Sequence, residues 1–368
     1  MIKIRHFFFN PYFIFWAYYL FGPIITFNHI LEISNRENLF NDSQISEKFF
    51  IHFIAYFSLL PFILLISDLF KEDIGDKTSP KVQIKTIPGV KQLIIVGLII
   101  FCTLLVGFLL ENPLIFIMQD MKRASLYIEF LEKYHIITFL IFIFILGNLF
   151  LNSTFLIIFG ILVTIFDVIV SRRTLMIFFF YSVTKKMTIK LLVLIFLFFI
   201  FFMFFRHREL IFNDGYKVGN IFDPFFGESY MVFLSNVQYQ GCPINVNDFF
   251  QYCNFERIFQ DCRTVSNGAG GFSSRFYYNF IFGIISVLTY TIISSSLLLF
   301  LHKFLEKSLM PVLKTILFVS LFICFRDSLW NSQIFLIKYF FVLMAFSMII
   351  HLMKKLNIFI EFNKTYKQ

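Results

Sequence analysis

Long unbroken apolar runs decide what this chain can fold into. Residues 276–301 pass without one Asp, Glu, Lys or Arg, and residues 191–205 are apolar throughout. An α-helix needs about 20 apolar residues to cross the hydrocarbon core of a bilayer. With 58% of residues apolar and 15% charged, the chain carries more apolar surface than a water-soluble core hides. That excludes a cytosolic globular enzyme and a disordered chain. A transmembrane β-barrel shows alternating segments of about ten residues. Here the runs are continuous, so the expected fold class is an all-α polytopic membrane protein. Phe supplies 59 of the 368 residues; it raises the apolarity and by itself points to no chemistry.

Ten candidate spans follow: residues 7–31, 49–70, 93–110, 136–151, 155–170, 174–183, 191–205, 276–301, 309–325 and 334–353. The segment 174–183 is short for a relaxed span and implies tilt or extension past Lys185. Asn152-Ser153-Thr154 reads as a tight turn between two spans. No A-x-A cleavage site follows the first run, so it reads as a retained helix. The whole chain, 1–368, reads as one integral membrane domain.

The basic residues orient it. With the N-terminus inside and the spans alternating, 15 of the 21 lysines fall inside, and only Lys48, Lys122, Lys133 and Lys217 fall in outer loops. The positive-inside rule therefore places both termini in the cytoplasm, N-in/C-in. It also accounts for the net charge of +9 without nucleic acid. Arginine does the reverse. Of eleven, only Arg5 is inside; ten lie on the outer side, among them Arg172, Arg173, Arg206, Arg208, Arg275 and Arg326. Topology has no preference between the two basic residues, so the segregation needs another cause. The guanidinium is a permanently charged planar fork that binds phosphate or carboxylate at two points. An outward-facing anion site is the reading that fits the set, although any one arginine at a helix end can also snorkel to headgroups.

One outer segment, 206–275, is long. Its six basic and seven acidic residues are interleaved, which suits a polar or mixed ligand such as a sugar chain. Turns and short surface helices are expected there. Cys242, Cys253 and Cys262 share this loop; in an oxidising compartment one disulfide would leave one thiol over, and three pairings are open. A zinc site is not expected, since no C-x-x-C pair is present and His207 is the loop's one histidine. P-loop, G-x-S-x-G, H-E-x-x-H and G-x-G-x-x-G signatures are absent. Of mid-span ionisable residues, the mark of pumps and proton-coupled carriers, the main candidates are Asp167 and Lys338, each within about one turn of a span end.

Three stretches stand out, with a fourth behind them. Ser171-Arg172-Arg173 closes a span. Asp223-Pro224-Phe225-Phe226-Gly227-Glu228-Ser229-Tyr230 lies in the long loop. Gly270-Gly271-Phe272-Ser273-Ser274-Arg275-Phe276-Tyr277-Tyr278-Asn279-Phe280 leads into the next span. Arg326-Asp327-Ser328 follows a later one. In this order they resemble the O-antigen and capsular polysaccharide repeat-unit polymerases of the Wzy type. The family pattern is a helix ending in S-R, a large periplasmic loop closing with G-G-F-x-S, an aromatic Y-x-N-F helix and a final R-x-S element. The resemblance covers about residues 155–355. It departs where many relatives carry a Glu four residues before the Asn, which here is Arg275, and where the Gly after N-F is displaced to Gly283.

The resemblance implies a GT-C-like polymerase architecture and transfer of a glycan from undecaprenyl diphosphate onto another carrier-linked repeat unit. The site would face the periplasm from the bacterial inner membrane, beside a flippase and a chain-length regulator. It also implies roles. Arg172, Arg173, Arg275 and Arg326 are candidates for the diphosphate, and Arg206 and Arg208 for the diphosphate or the acceptor lipid. Glu228 is the candidate general base, with His207 as alternative. Tyr230, Tyr277, Tyr278 and Asn279 are candidates to line a sugar groove. No cofactor and no metal is expected, since Arg supplies the positive charge and no D-x-D pair occurs. A lipid-linked oligosaccharide flippase, an O-antigen ligase and a membrane O-acetyltransferase are the competing readings.

Overall fold

The computed structural model describes residues 10–26, 42–69, 90–116, 120–136, 139, 229, 232–233, 236, 271–306, 309–326 and 329–355. Every regular element among them is helical: α1 (Pro11–Ile25), α2 (Asp42–Leu69), α3 (Val90–Glu111), a 3-10 turn (Pro113–Phe116), α4 (Asp120–Lys133), α5 (Ser274–Tyr278), α6 (Phe280–Phe304), α7 (Met310–Arg326) and α8 (Leu329–Lys355). Four stretches are long and apolar enough to cross a membrane: Ser46–Leu69, Ile94–Glu111, Phe280–Phe304 and Leu329–Leu352. They match the expected spans 49–70, 93–110, 276–301 and 334–353. The expected spans 7–31 and 309–325 are helices of 15 and 17 residues. Of the other four, 155–170, 174–183 and 191–205 lie outside the described residues, as does nearly all of 136–151.

Surface and interior are arranged for lipid. On α6 the exposed residues include Ile281, Ile285, Leu288 and Ile292, at three- and four-residue spacing. Its buried face carries Gly283, Ser286, Tyr290 and Ser294. Lipid tails reward no burial of apolar side chains, so small and hydroxyl-bearing residues take the helix contacts.

The described residues belong to two compact units. The first comprises Met1–Asp73, Leu210–Lys303 and Leu317–Phe341; the second comprises Ile74–Glu209, Phe304–Ile316 and Val342–Gln368. In the first, α1 starts on an Asn10 cap, whose side-chain oxygen accepts the Tyr12 N–H at 2.9 Å, followed by Pro11, which needs no donor partner. Pro23 sits inside α1. It has no N–H, so the Tyr19 carbonyl, four residues back, loses its helical donor. α1 packs on α2, with Trp16 Nε1–H donating to the Tyr56 carbonyl at 2.9 Å. Three hydroxyls tie α6, α7 and α8: Tyr290 Oη lies 2.9 Å from Ser332 Oγ, which lies 2.8 Å from Ser320 Oγ and donates to the Ser320 carbonyl at 2.7 Å.

In the second unit α4 is amphipathic. Tyr127, Phe130 and Leu131 are buried while Glu129 and Lys133 are exposed. Phe108 of α3 stacks on Phe130 with centroids 4.5 Å apart. At the α6–α7 turn, Ser347 Oγ accepts the Glu306 N–H at 3.2 Å and donates to the Phe304 carbonyl at 3.3 Å.

Candidate functional site

The glycine-aromatic stretch of the sequence folds into a turn clamped on the end of α7. The last carbonyls of a helix lack intrahelical donors, and the Phe272 N–H supplies one to Cys324 O at 3.1 Å. Gly271 makes this approach possible: a Cβ there would be driven into the Phe325 carbonyl oxygen. Ser274 Oγ donates to Gly271 O at 2.9 Å and stiffens the turn. The short helix α5 ends at Asn279, whose extended backbone (φ −152°, ψ 118°) breaks the expected continuous helix 276–301. Asn279 Oδ1 then accepts the Phe282 N–H at 3.1 Å and starts α6. Gly283 gives the Phe276 ring its place, since a Cβ would lie 2.6 Å from the ring.

The turn also docks on α2. Tyr277 Oη donates to the Lys48 carbonyl at 2.8 Å. Lys48, His52 and Tyr56 recur every four residues, so they share one face of α2, and all three are buried. His52 Nε2 lies 3.1 Å from the Tyr19 carbonyl. A carbonyl only accepts, so Nε2 carries the hydrogen and replaces the donor that Pro23 removed. Ser229, Val232, Phe233 and Asn236 are helical, buried and spaced for one helix face. They come from the long segment 206–275. Phe233 stacks on Phe49 at 4.8 Å and meets His52 edge-on at 5.3 Å. Asn236 Nδ2 donates to Ser273 Oγ at 2.6 Å. Tyr56, Phe272 and Phe325 close the cluster with centroids 5.0–6.1 Å apart.

Arg275 is 3% exposed. Its guanidinium lies 5.9 Å from the Phe282 ring and acts electrostatically on Cys324. It is enclosed by protein, in contrast to an arginine reaching for headgroups. Arg326 is half-buried, with its guanidinium 5.9 Å from the Phe322 ring. Tyr277 is buried and its hydroxyl is engaged; burial holds the phenol well above its ordinary value of 10. Asn279 is exposed and caps a helix. Both therefore have structural work besides the expected groove. Tyr278 is the last residue of α5. Arg172, Arg173, Arg206, Arg208, Glu228, Tyr230, His207 and the three loop cysteines lie outside the described residues.

The start of α2, the 271–279 turn and the end of α7 thus meet within the first unit. Lys48, His52, Tyr56 and Asn236 were not anticipated there. A signal for His52 existed, since it interrupts an apolar run that holds no Asp, Glu, Lys or Arg until Asp68. Among the described residues no group of three His, Cys, Asp or Glu has the makings of a metal site. The cluster offers two buried cationic side chains, Lys48 and Arg275, beside neutral hydrogen-bonding groups and aromatic rings. That combination suits a ligand with both an anionic and a hydroxyl-bearing part. Comparison of the chain with protein-family models, with curated proteins and with solved structures finds no match.

Proposed function

We propose that the chain is a metal-independent glycosyltransferase. It joins undecaprenyl-diphosphate-linked oligosaccharide repeat units into O-antigen or capsular polysaccharide at the periplasmic face of the bacterial inner membrane. The observation that carries the reading is arginine segregation in the sequence: when the lysines are used to orient ten alternating spans, ten of the eleven arginines fall on the opposite side. The burial of Arg275 beside the clamped turn supports it, because enclosed guanidinium binds an anion more strongly than one in water.

The donor's lipid tail stays in the bilayer, which fixes its diphosphate at the interface where these arginines are expected. The acceptor hydroxyl attacks the anomeric carbon of the donor glycan. A carbon–oxygen bond forms, and the bond from that carbon to the phosphate oxygen breaks. The electron pair leaves with the lipid diphosphate, whose charge Arg172, Arg173, Arg206, Arg208, Arg275 and Arg326 offset. The hydroxyl proton passes to a carboxylate, for which Glu228 is the candidate. Tyr230 and Tyr278 remain candidates for the sugar groove. A flippase delivering the repeat units and a chain-length regulator are the expected partners.

The test is the surface glycan of a strain lacking the chain, complemented with wild type, Glu228→Ala, Arg172→Ala or Arg275→Ala at matched membrane levels. Polymerisation predicts single repeat units without the long ladder in the null strain, and ladders that the point variants fail to restore. Loss of the single units as well, with lipid-linked repeats accumulating inside, identifies a flippase and overturns the reading.

A further inference from the structure

Among the described residues seven buried polar atoms have no hydrogen-bond partner, all in the first unit, and three of them stand around the 271–279 turn: His52 Nδ1, Tyr56 Oη and Asn236 Oδ1. They lie in one neighbourhood. The His52 and Tyr56 rings are 4.6 Å apart, Tyr56 meets Phe272 at 5.0 Å, and Asn236 holds the next residue, Ser273. Native interiors seldom leave even one such atom unsatisfied without a reason. Packing alone gives no reason here. Phenylalanine at position 56 has the same shape without the orphan oxygen, and the structural task of His52, the Tyr19 carbonyl, is met by Nε2.

The chemistry of the three atoms selects a ligand class. With Nε2 protonated, Nδ1 of the neutral ring is an acceptor, and so is the Asn236 amide oxygen; the phenol both donates and accepts. A phosphate or carboxylate brings no proton for either acceptor. A hydroxyl group donates to one of them and accepts from Tyr56. We propose that His52, Tyr56 and Asn236 form a subsite for the neutral, hydroxyl-bearing part of the ligand, its glycan, distinct from the arginines that face the diphosphate. The proposal deepens the polymerase reading and rests on it. Phe233, packed by ring contact on Phe49 and His52, borders the subsite.

The experiment uses the full chain in lipid nanodiscs with two probes. One is the lipid-linked oligosaccharide extracted from a strain lacking the chain; the other is bare undecaprenyl diphosphate. Tyr56→Phe removes the hydroxyl alone. His52→Gln keeps an N–H within reach of the Tyr19 carbonyl and removes the ring acceptor. Each variant is expected to bind the glycan-bearing lipid roughly fivefold to tenfold more weakly, the worth of one hydrogen bond, with bare undecaprenyl diphosphate bound as before. Tyr56→Phe is also expected to melt at or above the wild-type temperature without ligand, which removes misfolding as an explanation. Equal weakening toward both probes, or none toward either, overturns the subsite. A wild type that binds neither probe overturns it as well. A null strain that keeps its long polysaccharide overturns the polymerase reading and the subsite with it. A null strain that loses the ladder, with glycan selectivity unchanged in the variants, overturns the subsite alone.

Discussion

Replacing His52 with Leu removes the donor that stands in for the N–H missing at Pro23. Two effects then oppose each other. The Tyr19 carbonyl loses this donor in a buried site, which costs about 1–3 kcal/mol. The unpartnered Nδ1 disappears, which returns part of that sum. The single variant is therefore a poor reporter, and a double-mutant cycle with Pro23→Ala isolates the term of interest. Alanine at 23 supplies a backbone N–H to the same carbonyl. Hydrogen bonds between transmembrane helices average about 0.6 kcal/mol and reach about 1.7. The carbonyl here has no alternative helical donor four residues on, so a coupling near the upper half of that range, about 1 kcal/mol, is expected. Reversible unfolding of the four proteins in detergent micelles titrated with SDS measures it. His52→Leu is expected to cost about 1 kcal/mol less in the Pro23→Ala background than in the wild type. The same cost in both backgrounds refutes the pairing of His52 with Tyr19, and with it the tautomer on which the ligand class rests.

Gly271→Ala forces a methyl group into the Phe325 carbonyl; a loss of about 1–3 kcal/mol or more is expected, read as a lower melting temperature or failure to accumulate in membranes. Asn279→Ala removes a helix cap at a cost of about 1 kcal/mol, whereas Asn279→Asp keeps the cap. If Asn279 also meets sugar, the Asp variant melts like wild type yet shortens the glycan ladder. Tyr290→Phe cuts the link between α6 and Ser332 and is expected to lose about 0.6–1.7 kcal/mol in the same SDS titration. Tyr277 gives a pH test. Below pH 10 its phenol is neutral in both states and contributes no slope. Above pH 10 it ionises in the unfolded chain but not in the folded one, so stability falls as pH rises. Tyr277→Phe is expected to flatten that alkaline fall, measured as melting temperature from pH 9 to 11.

The spans that were legible in sequence are those whose evidence is one-dimensional. A run such as 276–301 declares a helix by length and lack of charge, and α6 follows it closely. What the run concealed was its break at Asn279, because capping depends on backbone angles and a side chain of middling hydropathy does not interrupt an apolar average. The amphipathic helix α4 is hidden in the sequence for the complementary reason: its charges, Lys122, Arg123, Glu129 and Lys133, lower the mean while Tyr127, Phe130 and Leu131 still pack one face. The turn 271–279 stands out in the sequence by its glycine-aromatic motif, and its glycine and asparagine are fitted to Phe325 and to the start of α6. Short motifs mark places where the chain is constrained, and a steric constraint writes the same letters as a binding one.

His52 escaped notice because hydropathy counts treat a neutral imidazole as an ordinary polar residue, and because its partner is a backbone carbonyl exposed by a proline 29 positions earlier in the chain. Only the fold joins the two. The kind of polar group matters in weighing such clusters. Ser286, Ser294 and Thr291 also have unpartnered hydroxyls and Gln333 an unpartnered Nε2; each hydroxyl is one rotamer change from the carbonyl of the preceding turn of its own helix, and the amide of Gln333 stands alone on α8 without a second such group beside it in sequence. The phenol of Tyr56 and the Nδ1 of His52 have no such local refuge: a Tyr oxygen stands too far from its own backbone, and a ring fixed through Nε2 cannot turn. A polar group that can satisfy itself locally is compatible with packing alone. One that cannot must find its partner across the cluster or from outside the protein, and here the cluster holds no partner for it. That distinction, together with the enclosed Arg275 a few residues along the same turn, makes this end of the first unit the place to look for the ligand.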